Sequence, residues 1–397
     1  MATFAVNRAD LTQPGIQANR SSPIAIRQMR LRDFRNYRRL DIETDSRPII
    51  LTGDNGAGKT NLLEAISLLA PGRGIRRASL SELTREGGHT WAVTATIASG
   101  KELVGVTTGR RSDSERRLIE IEGVATRSQS ELAAFMGATW LTPAQDRLFM
   151  DSPAARRRFL DRLVLAIDNG HARRVASYER TLRERVLLLR QARPDPHWLR
   201  AIEQRLAEEG IAIAAARREL VQALDGVLAG APSGDSAPMS PFPAAHLALE
   251  GGVDAMLESM PAVRAEALLI EQLADARQAD SLQGGTSHGP HRSDLRVIDA
   301  ESGREATACS TGRQKSLLLG IVLAEARLRA DRQGQLPIIL LDEVVAHLDE
   351  RRRIQLFDYL VALGAQTWLT GTDEPNFAPL KGAAQFFHVQ DAVLIRR

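Results

Sequence analysis

The chain has only one cysteine, Cys309, among its 397 residues. A single cysteine excludes an internal disulfide and any zinc site built from cysteines. The sequence also lacks an apolar run of about 18 residues, which a membrane-spanning helix requires. Its first 22 residues carry no signal-peptide pattern. These absences predict a cytoplasmic protein without a membrane partner, in which residues 1–23 form a disordered extension.

Lysine is scarce as well, since only four of the 52 basic residues are lysines: Lys59, Lys101, Lys315 and Lys381. The arginine excess carries no functional signal by itself, but the position of each rare lysine is informative. The hydrophobic share of 43% and the charged share of 25% are ordinary for a globular protein. The length is sufficient for one large or two medium domains with a sizeable core.

A phosphate-binding pattern, G-x-x-x-x-G-K-[ST], occurs in GDNGAGKT, Gly53–Thr60. It follows a short apolar strand, RPIILT, and precedes TNLLEAISLL, whose apolar residues recur at helical spacing. Lys59, a catalytic candidate, would reach the β- and γ-phosphates, and the Thr60 hydroxyl would ligate Mg²⁺. Backbone N–H groups of the loop would bind phosphate oxygens; the loop comprises Gly53, Asp54, Asn55, Gly56, Ala57 and Gly58.

A second motif, LPIILLDEVVAHLDE, spans Leu336–Glu350. A buried strand that ends at Asp342 beside the phosphate loop would hold Mg²⁺. Glu343 would then polarise the attacking water as a general base. The alternative is an ordinary strand end with solvated acids, and the presence of the phosphate loop favours the metal site.

The third motif, CSTGRQKSLLLGIVLAEARLR, is a polar turn that opens an apolar helix. Ser310 or Thr311 would cap this helix, and its free N–H groups would attract an anion. Lys315 does not suit the helix dipole in the first turn, which favours an anion nearby. Ser310 precedes Asp342 by 32 residues, whereas Lys59 precedes it by 283. This order is the layout of an ABC ATPase head.

The stretches between the motifs differ in character. Alternating residues predict a hairpin over Ala25–Glu43 and an antiparallel sheet over Thr90–Val124. Helical spacing starts after Ser152-Pro153 and recurs over about His197–Leu228 and Ala262–Ala279, with a Pro/Ser/Gly loop over Ala231–Ala245. We therefore predict an α/β fold without a long coiled coil: an ABC-type P-loop head from residues 24–150 and 285–397, and an inserted, mostly helical lobe from residues 151–284.

The motifs resemble those of the RecF family of bacterial recombination-mediator ATPases, over nearly the whole chain from about Ile24. The matching stretches are LRDFRNY, GDNGAGKTNLLEAI, DSPAARRRFLDRLV, GPHRSDL, STGRQKSLLLGIVLAEA and LLDEVVAHLD. SPAARRRFLD and GPHRSDL are specific to that family, whereas the first two and the last two occur in looser form in SMC-type heads.

The resemblance implies an ATP-dependent DNA-binding protein of recombinational repair and replication restart, in the cytoplasm at the nucleoid. Such proteins bind ATP with Mg²⁺, dimerise around it and hydrolyse it slowly, as a weak DNA-stimulated ATPase that acts as a switch. They bind gapped duplex and single-stranded DNA and act with RecR and RecO to help load RecA. The resemblance thus implies an ATP-gated dimeric clamp.

The resemblance also implies roles for individual residues. In such heads the signature turn binds the ATP held by the other subunit, a role that falls here on Ser310, Gly312, Gln314 and Lys315. Asp349 would line the dimer interface. Gln145, in LTPAQDRLF, corresponds to the loop glutamine that senses Mg²⁺ and the γ-phosphate, with Asp146 as the alternative.

The chain departs from transporter heads at two points. Thr311 replaces a glycine of the signature, and no histidine follows the acid-ended strand in TWLTGTDEP. The switch residue would be Thr370, Thr372 or Asp373, of which we select Thr372. Without an imidazole at this position we expect slow turnover, which suits a switch.

Three other functions compete with this interpretation. An SMC-like structural head needs two long heptad arms, which the interrupted helices do not supply. A transporter subunit would carry the Leu-Ser-Gly-Gly-Gln signature and the switch histidine. A nucleotide-binding scaffold without significant hydrolysis is disfavoured because both Asp342 and Glu343 are present.

Three lesser features allow two interpretations each. Residues 151–200 hold twelve arginines against six acids; they either track DNA phosphates or form a solvated face, and Arg156–Arg158 equally suit internal ion pairs. The turn at Arg35-Asn36-Tyr37 either touches the nucleotide or only closes a hairpin. His288 and His291 suit a structural or DNA-proximal role better than metal binding, because no cluster of acids or cysteines accompanies them.

Overall fold

The computed structural model describes residues 22–112, 114, 116–126, 128–230, 238 and 240–397. The extension predicted over residues 1–23 lies outside these ranges, except for Ser22 and Pro23. The backbone of these two residues pairs in parallel with Gln335 and Leu336.

The described residues form sixteen strands and nine α-helices. The strands are β1 (Ser22–Pro23), β2 (Ala25–Phe34), β3 (Tyr37–Glu43), β4 (Ile49–Thr52), β5 (Trp91–Ser99), β6 (Glu102–Arg110), β7 (Arg117–Ile121), β8 (Val124–Ala125), β9 (Ala138–Leu141), β10 (Ala245–Glu250), β11 (Asp294–Asp299), β12 (Gln335–Leu336), β13 (Ile338–Leu341), β14 (Thr367–Gly371), β15 (Gln385–Gln390) and β16 (Val393–Arg396). The helices are α1 (Lys59–Ser67), α2 (Pro153–Leu165), α3 (His171–Leu189), α4 (Pro196–Leu228), α5 (Gly252–Ser259), α6 (Ala262–Asp275), α7 (Arg277–Gln283), α8 (Thr311–Gln333) and α9 (Glu350–Leu363). Among the residues that the structure describes, no helix is long and apolar enough to span a membrane.

A six-stranded sheet in the order β16-β15-β4-β14-β13-β9 forms the centre of the head. Its strands are parallel except for β16, which pairs antiparallel with β15. The runs IILT in β4 and IILL in β13 are buried throughout, as expected for parallel strands that are covered on both faces. Strand β4, from the first part of the chain, lies between β14 and β15 from the last part.

A second sheet, in the order β3-β2-β5-β6-β7-β8, is antiparallel. Alternate residues of β5 are buried, so one face of this sheet packs on the core. In that core the Phe34 ring meets the Trp91 ring edge to face at 5.5 Å. The hairpin and the antiparallel sheet predicted from alternation are confirmed.

The helical insertion begins where Ser152-Pro153 predicts, with Pro153 as the first residue of α2. The first half of α4 packs with α3, α5 and α6 in a hydrophobic cluster that includes Tyr178, Leu206 and Leu269. Leu220 and Leu224, in its second half, belong instead to the cluster of the head. Helix α4 therefore connects two hydrophobic cores.

Two elements of the insertion differ from the predictions. The helix predicted over Ala262–Ala279 is interrupted, because α6 ends at Asp275 and α7 starts at Arg277. Strand β10 follows the predicted loop, most of which lies outside the described residues, and it pairs antiparallel with β11. Local alternation was too short to reveal β10, whose partner lies nearly fifty residues further along the chain.

The proposed division at residues 151 and 284 remains a prediction. Helix α2 contributes Phe159, Leu160 and Leu163 to the same hydrophobic cluster as α8 of the head. The β10–β11 pair also joins residues on both sides of the second boundary. The insertion is therefore packed firmly against the head at both of its ends.

The two family-specific stretches, SPAARRRFLD and GPHRSDL, contact each other. Arg156 pairs with Asp294 through two bonds of 2.6 and 2.8 Å, and Arg157 donates to the backbone oxygen of Ser293 at 2.7 Å. Arg217 of α4 bonds both oxygens of Asp161. Arg156 thus forms the internal ion pair that the sequence left as one of two alternatives.

His291, in the second of these stretches, is held within the protein by both ring nitrogens. Its Nδ1 lies 2.7 Å from the Tyr178 hydroxyl, and its Nε2 lies 2.8 Å from the backbone oxygen of Thr286. Burial lowers the pKa of His291 to about 4, so the ring is neutral at physiological pH. Its environment is that of a structural histidine.

A buried arginine joins four helices of the insertion. The Arg185 side chain has no solvent exposure and pairs with Glu203 at 3.1 Å and with Asp280 at 2.7 Å. It also donates to Thr286 Oγ1 at 3.0 Å and to the backbone oxygen of Leu273 at 2.7 Å. These bonds connect α3 with α4, α6 and α7.

Replacing this arginine should destabilise the insertion strongly. We expect Arg185→Leu to cost about 3–5 kcal/mol, because it leaves the Glu203 and Asp280 carboxylates with less compensation. Urea unfolding followed by circular dichroism measures the change. The control is Arg39→Ala, whose exposed pair with Asp41 should contribute less than about 1 kcal/mol. Equal costs for the two variants would contradict this account.

Candidate nucleotide-binding site

The predicted phosphate loop lies between β4 and α1, and α1 begins at Lys59. Gly53 and Gly58 have φ angles of 141° and 121°, which L side chains rarely adopt. A Cβ atom at Gly53 would overlap the backbone oxygen of Val389, and one at Gly58 would lie 2.7 Å from the Tyr37 hydroxyl. Apart from its chain neighbours, no atom of the described residues lies within 4 Å of a Cβ built on Gly56. The loop is thus tightly packed at its ends and open at its middle.

The hairpin turn at Arg35-Asn36-Tyr37 supports this loop. Asn36 donates to the backbone oxygen of Ala57 at 3.2 Å, and the Tyr37 hydroxyl donates to that of Gly58 at 3.0 Å. Arg35 forms an ion pair of 2.8 Å with Glu64 of α1. The turn therefore does more than close a hairpin, since it fixes the backbone of the loop.

The Lys59 ammonium group is held by its own loop. Its Nζ donates to the backbone oxygens of Gly53 at 2.5 Å and Asp54 at 2.9 Å. Burial lowers the pKa of Lys59, whereas the charges of Glu343, Asp342 and Asp54 act in the opposite direction. A negatively charged phosphate would likewise favour the protonated amine at this position.

Asp342 is buried at the end of β13 and accepts hydrogen bonds from two threonines. Thr60 Oγ1 lies 2.9 and 3.0 Å from its two carboxylate oxygens, and Thr370 Oγ1 donates to Oδ1 at 2.7 Å. Burial raises the pKa of Asp342, and the hydrogen bonds from Thr370 and Thr60 oppose that rise. The structure thus brings together the phosphate loop and the acid-ended strand.

The pair of oxygen donors at Thr60 and Asp342 fits Mg²⁺. Magnesium prefers oxygen ligands and is usually bound by one or two carboxylates together with substrate phosphates. Among the described residues no group of three or more His, Cys, Asp or Glu side chains could hold a metal ion. A shared site with a nucleotide is therefore the arrangement that these donors suit.

Glu343 follows Asp342 in a left-handed backbone conformation, with φ 53°. This conformation is uncommon for a residue other than glycine and turns the chain sharply after the strand. The Glu343 N–H donates to Thr370 Oγ1 at 2.9 Å. Thr370 therefore contacts both acidic residues. Its hydroxyl donates to the Asp342 carboxylate and accepts from the Glu343 backbone.

Thr372, the residue that we selected from TWLTGTDEP, lies beyond the end of β14. Its hydroxyl donates to the Asp373 carboxylate at 2.9 Å. The structure brings Thr370 to the acids instead. Both threonines were candidates in the sequence, and only the register of β14 beside β13 distinguishes them.

The signature turn divides into exposed and buried residues. Ser310 caps α8 by accepting a bond of 3.3 Å from the Arg313 N–H, and it is exposed together with Thr311. Gln314 is buried and donates to the backbone oxygen of Cys309 at 3.0 Å. Lys315 is buried as well and forms an ion pair of 3.0 Å with Asp146. The anion near Lys315 is thus a carboxylate of its own chain.

Gln145 and Asp349 each bond to the backbone of their own turn. Gln145 Oε1 accepts from the Thr142 N–H at 3.1 Å. Asp349 is exposed and caps α9 by accepting from the Arg352 N–H at 2.9 Å. The described contacts of neither residue reach Thr60 or Asp342.

Arg76 is a site residue that the sequence did not reveal. It donates to Asn61 Oδ1 at 2.7 Å and pairs with Glu64 at 2.8 Å, both on α1. Its charge also lowers the pKa of Asp342, against the larger effect of burial. No recognisable pattern surrounds Arg76, because it lies in an irregular segment.

Comparisons with known proteins agree with this geometry. The family model described as RecF/RecN/SMC N terminal domain matches residues 25–393. A DNA replication and repair protein RecF of Agrobacterium fabrum is 46% identical over 373 residues, covering 93% of this chain and 98% of that protein. The RecF protein of Mesorhizobium japonicum is 46% identical over 368 residues, covering 92% of this chain and 96% of that protein.

Solved structures share the fold. The recombination mediator protein RecF-ATPrS of the RecFOR pathway superposes with a TM-score of 0.83 at 22% identity, covering 95% of this chain and 99% of that one. An Smc head domain of Pyrococcus furiosus, bound to the C-terminal domain of ScpA, superposes with a TM-score of 0.51 at 16% identity. The match covers 94% of this chain and 96% of that one.

The fold and the site define an ATPase head of the SMC type, in which a phosphate loop meets an acid-ended strand of the same parallel sheet. The described helices include no long coiled coil. The chain belongs to the RecF family.

Removal of the Thr370 hydroxyl should weaken binding of ATP with Mg²⁺ by about tenfold, the typical value of a hydrogen bond to a charged group. Because that bond favours the Asp342 carboxylate, Thr370→Val should raise the pKa of Asp342 further. Binding needs the carboxylate, so the pH below which affinity falls should move upward. Calorimetric titration between pH 5 and 8 measures both effects.

Two controls define this experiment. Thr370→Ser keeps the hydroxyl and should retain affinity, and Thr372→Val should behave as the wild type. If Thr372→Val lost affinity while Thr370→Val did not, the assignment of Thr370 would be wrong.

Proposed function

We propose that this protein is an ATP-dependent DNA-binding protein of recombinational repair and replication restart. The observation that carries the proposal is the contact of Thr60 with Asp342, because it joins the phosphate loop to a metal-binding acid. The names of its relatives, DNA replication and repair proteins RecF, support the same role. The protein acts as an ATP-gated dimeric clamp on gapped, single-stranded or duplex DNA.

The residues of the site divide the work of nucleotide binding. The loop amides and Lys59 bind the phosphates, while Thr60 and Asp342 hold Mg²⁺. When bound, Mg²⁺ neutralises charge on the phosphate oxygens. The hydrogen bond of 2.7 Å from Thr370 favours the ionised form of Asp342.

Glu343 is the general base for hydrolysis. Glu343 directly follows Asp342 and has a left-handed backbone conformation. Its carboxylate accepts a proton from the attacking water. Turnover is slow, and the protein works as a switch because hydrolysis releases the contacts that the γ-phosphate makes.

Two subunits bind two ATP molecules at their interface. Ser310, which is exposed, and Gly312, which is half-buried, contact the nucleotide held by the other subunit. Gln314 and Lys315 support this turn from inside their own chain, through the Cys309 backbone and the Asp146 carboxylate. Asp349 lines the interface, and Gln145 is the residue that would sense Mg²⁺ and the γ-phosphate.

The partners of the clamp follow from the relatives. The solved RecF structure belongs to a protein of the RecFOR pathway. We therefore expect RecR and RecO to be the protein partners of the clamp. With them the clamp helps to load RecA. The helices α3 and α4 pack against α5 and α6, so they cannot extend as the arms of a structural SMC head.

Single variants on the two sides of the shared site should each abolish the effect of ATP. We expect ATP with Mg²⁺ to tighten binding to labelled gapped duplex and to raise the mass of the protein to a dimer. Lys59→Met removes a phosphate contact, and Ser310→Arg blocks the signature turn, so each alone should lose both gains. Fluorescence anisotropy and light scattering measure them.

A mixture of the two variants tests whether the site is shared. A mixed dimer has one site with both substitutions and one site with none. Half of the dimers in an equal mixture are mixed, so the mixture should recover roughly a quarter of the ATP-dependent gain in DNA binding of the wild type. Recovery of nothing, with each variant folded, would contradict a site built from two subunits. A monomer that binds DNA equally with and without ATP would contradict the clamp.

Glu343→Gln should separate nucleotide binding from hydrolysis. The amide keeps the size of the side chain but cannot accept the proton, so phosphate release should fall at least about a hundredfold. The ATP-dependent dimer should then persist on DNA for longer than the wild type. Unchanged phosphate release would instead favour a scaffold whose ATPase activity does not come from this site.

A further inference from the structure

The arginines of residues 151–200 divide into an internal and an external set. Arg156, Arg157 and Arg185 bond to acids or backbone oxygens within the protein. Arg162 donates to the backbone oxygen of Trp140 at 3.0 Å and lies over the Trp140 ring at 4.6 Å. Burial lowers the pKa of Arg162 to about 10. These side chains are engaged in the fold and are unavailable to a partner.

The external set lies along one face of α3. Arg173, Arg180, Arg183 and Arg190 are exposed, and none of the four has a hydrogen bond or ion pair among the residues that the structure describes. The helical repeat places these four positions within about 100° of one another around the axis. Glu179 is the one fully exposed acid between residues 171 and 190. We call this surface the α3 arginine face.

A groove between α3 and α4 borders the α3 arginine face. It has a volume of about 570 Å³ and is lined by Arg173, Arg174, Arg180 and Arg205, together with Ser177 and Glu208. Two of the four arginines are partly neutralised, because Arg174 pairs with Asp168 and Arg205 pairs with Glu209. Arg173 and Arg180 therefore carry the positive charge of the groove that no ion pair neutralises, and Glu208 is an exposed acid in its lining.

We propose that the α3 arginine face binds the phosphate backbone of duplex DNA. From Arg173 to Arg190, which caps the C-terminal end of α3, the chain rises by 17 helical steps, roughly 25 Å, which matches about seven base pairs at 3.4 Å each. Glu179 and Glu184 lie between these arginines in sequence, but only Glu179 is fully exposed. A row of four exposed positive charges suits a linear polyanion better than a single small anion. An acidic protein surface is the competing partner, and the experiment below separates the two.

This inference rests on the proposed DNA binding and names the surface responsible. It assigns that surface to the insertion, outside the nucleotide-binding site. The arginines make no contact with Thr60, Lys59 or Asp342, so their removal should leave nucleotide binding unchanged. Because guanidinium groups here would meet phosphates and not base edges, the contribution to binding is independent of DNA sequence.

The salt dependence of DNA binding tests the proposal. Each phosphate contact contributes about 0.9 to the slope of log K against log salt concentration for duplex DNA. The triple variant Arg173→Gln, Arg180→Gln, Arg183→Gln should therefore reduce the slope by about 2.7. The measurement uses the full chain with ATP and Mg²⁺ and a labelled duplex of arbitrary sequence, titrated at several salt concentrations.

The control removes the same charge elsewhere. Arg264→Gln, Arg304→Gln and Arg332→Gln replace three exposed arginines outside the α3 arginine face and should change the slope by less than about 1. ATP affinity and the unfolding midpoint should be equal in both triple variants. If the slope fell equally in the two triple variants, the arginines would contribute only general charge attraction, and the proposal would be overturned.

The remaining outcomes are also distinct. If the wild type binds duplex and the α3 variant keeps its slope, the assigned surface is wrong while the proposed function stands. If that variant keeps the slope but loses RecR binding, the face belongs to a protein partner. If the wild type binds no DNA under any condition, both proposals fail.

Discussion

The hydrogen bonds that Thr60 and Thr370 donate to Asp342 are the interactions on which the nucleotide site depends. They join α1, from the first part of the chain, to β13 and β14, from the last part, around one buried carboxylate. Burial raises the pKa of Asp342, whereas these two hydroxyls, together with the charge of Arg76, favour its charged form. Replacing Thr370 would alter the surroundings of Asp342 without touching the phosphate loop itself. The hairpin turn, through Asn36 and Tyr37, fixes the other side of the same site.

Much of this site could be predicted from the sequence because each motif is local. The glycine loop, Lys59 and Thr60 occur within eight residues, and Asp342 ends a strand that is apolar throughout. The choice between Thr370 and Thr372 was not local, since it depends on how β14 pairs with β13. The anion beside Lys315 was expected from the helix dipole, but its source, Asp146, lies 169 residues away. Contacts between distant residues leave no periodic signal in a single sequence.

The fold shows the same limit. Alternation predicted the antiparallel sheet because its neighbouring strands follow one another along the chain. Strand β10 has six residues and pairs with β11 across three helices, so nothing near it in sequence marked it as a strand. The charged stretch after Asp151 was equally ambiguous, because an arginine that pairs with Asp294 and one that faces solvent look alike in sequence. Only packing separates Arg156 from Arg173.

The position of β4 between β14 and β15 has a consequence for how the protein is made. The strand that carries the phosphate loop is synthesised well before both of its neighbours in the sheet, because β14 and β15 lie more than 300 residues further along the chain. Until then its apolar residues and backbone groups lack their native partners. Sheets built from such distant pairings form slowly and expose unpaired strands meanwhile. Nascent chains of this protein therefore remain without a complete nucleotide site, and with apolar strand residues exposed, until β14 and β15 have been synthesised.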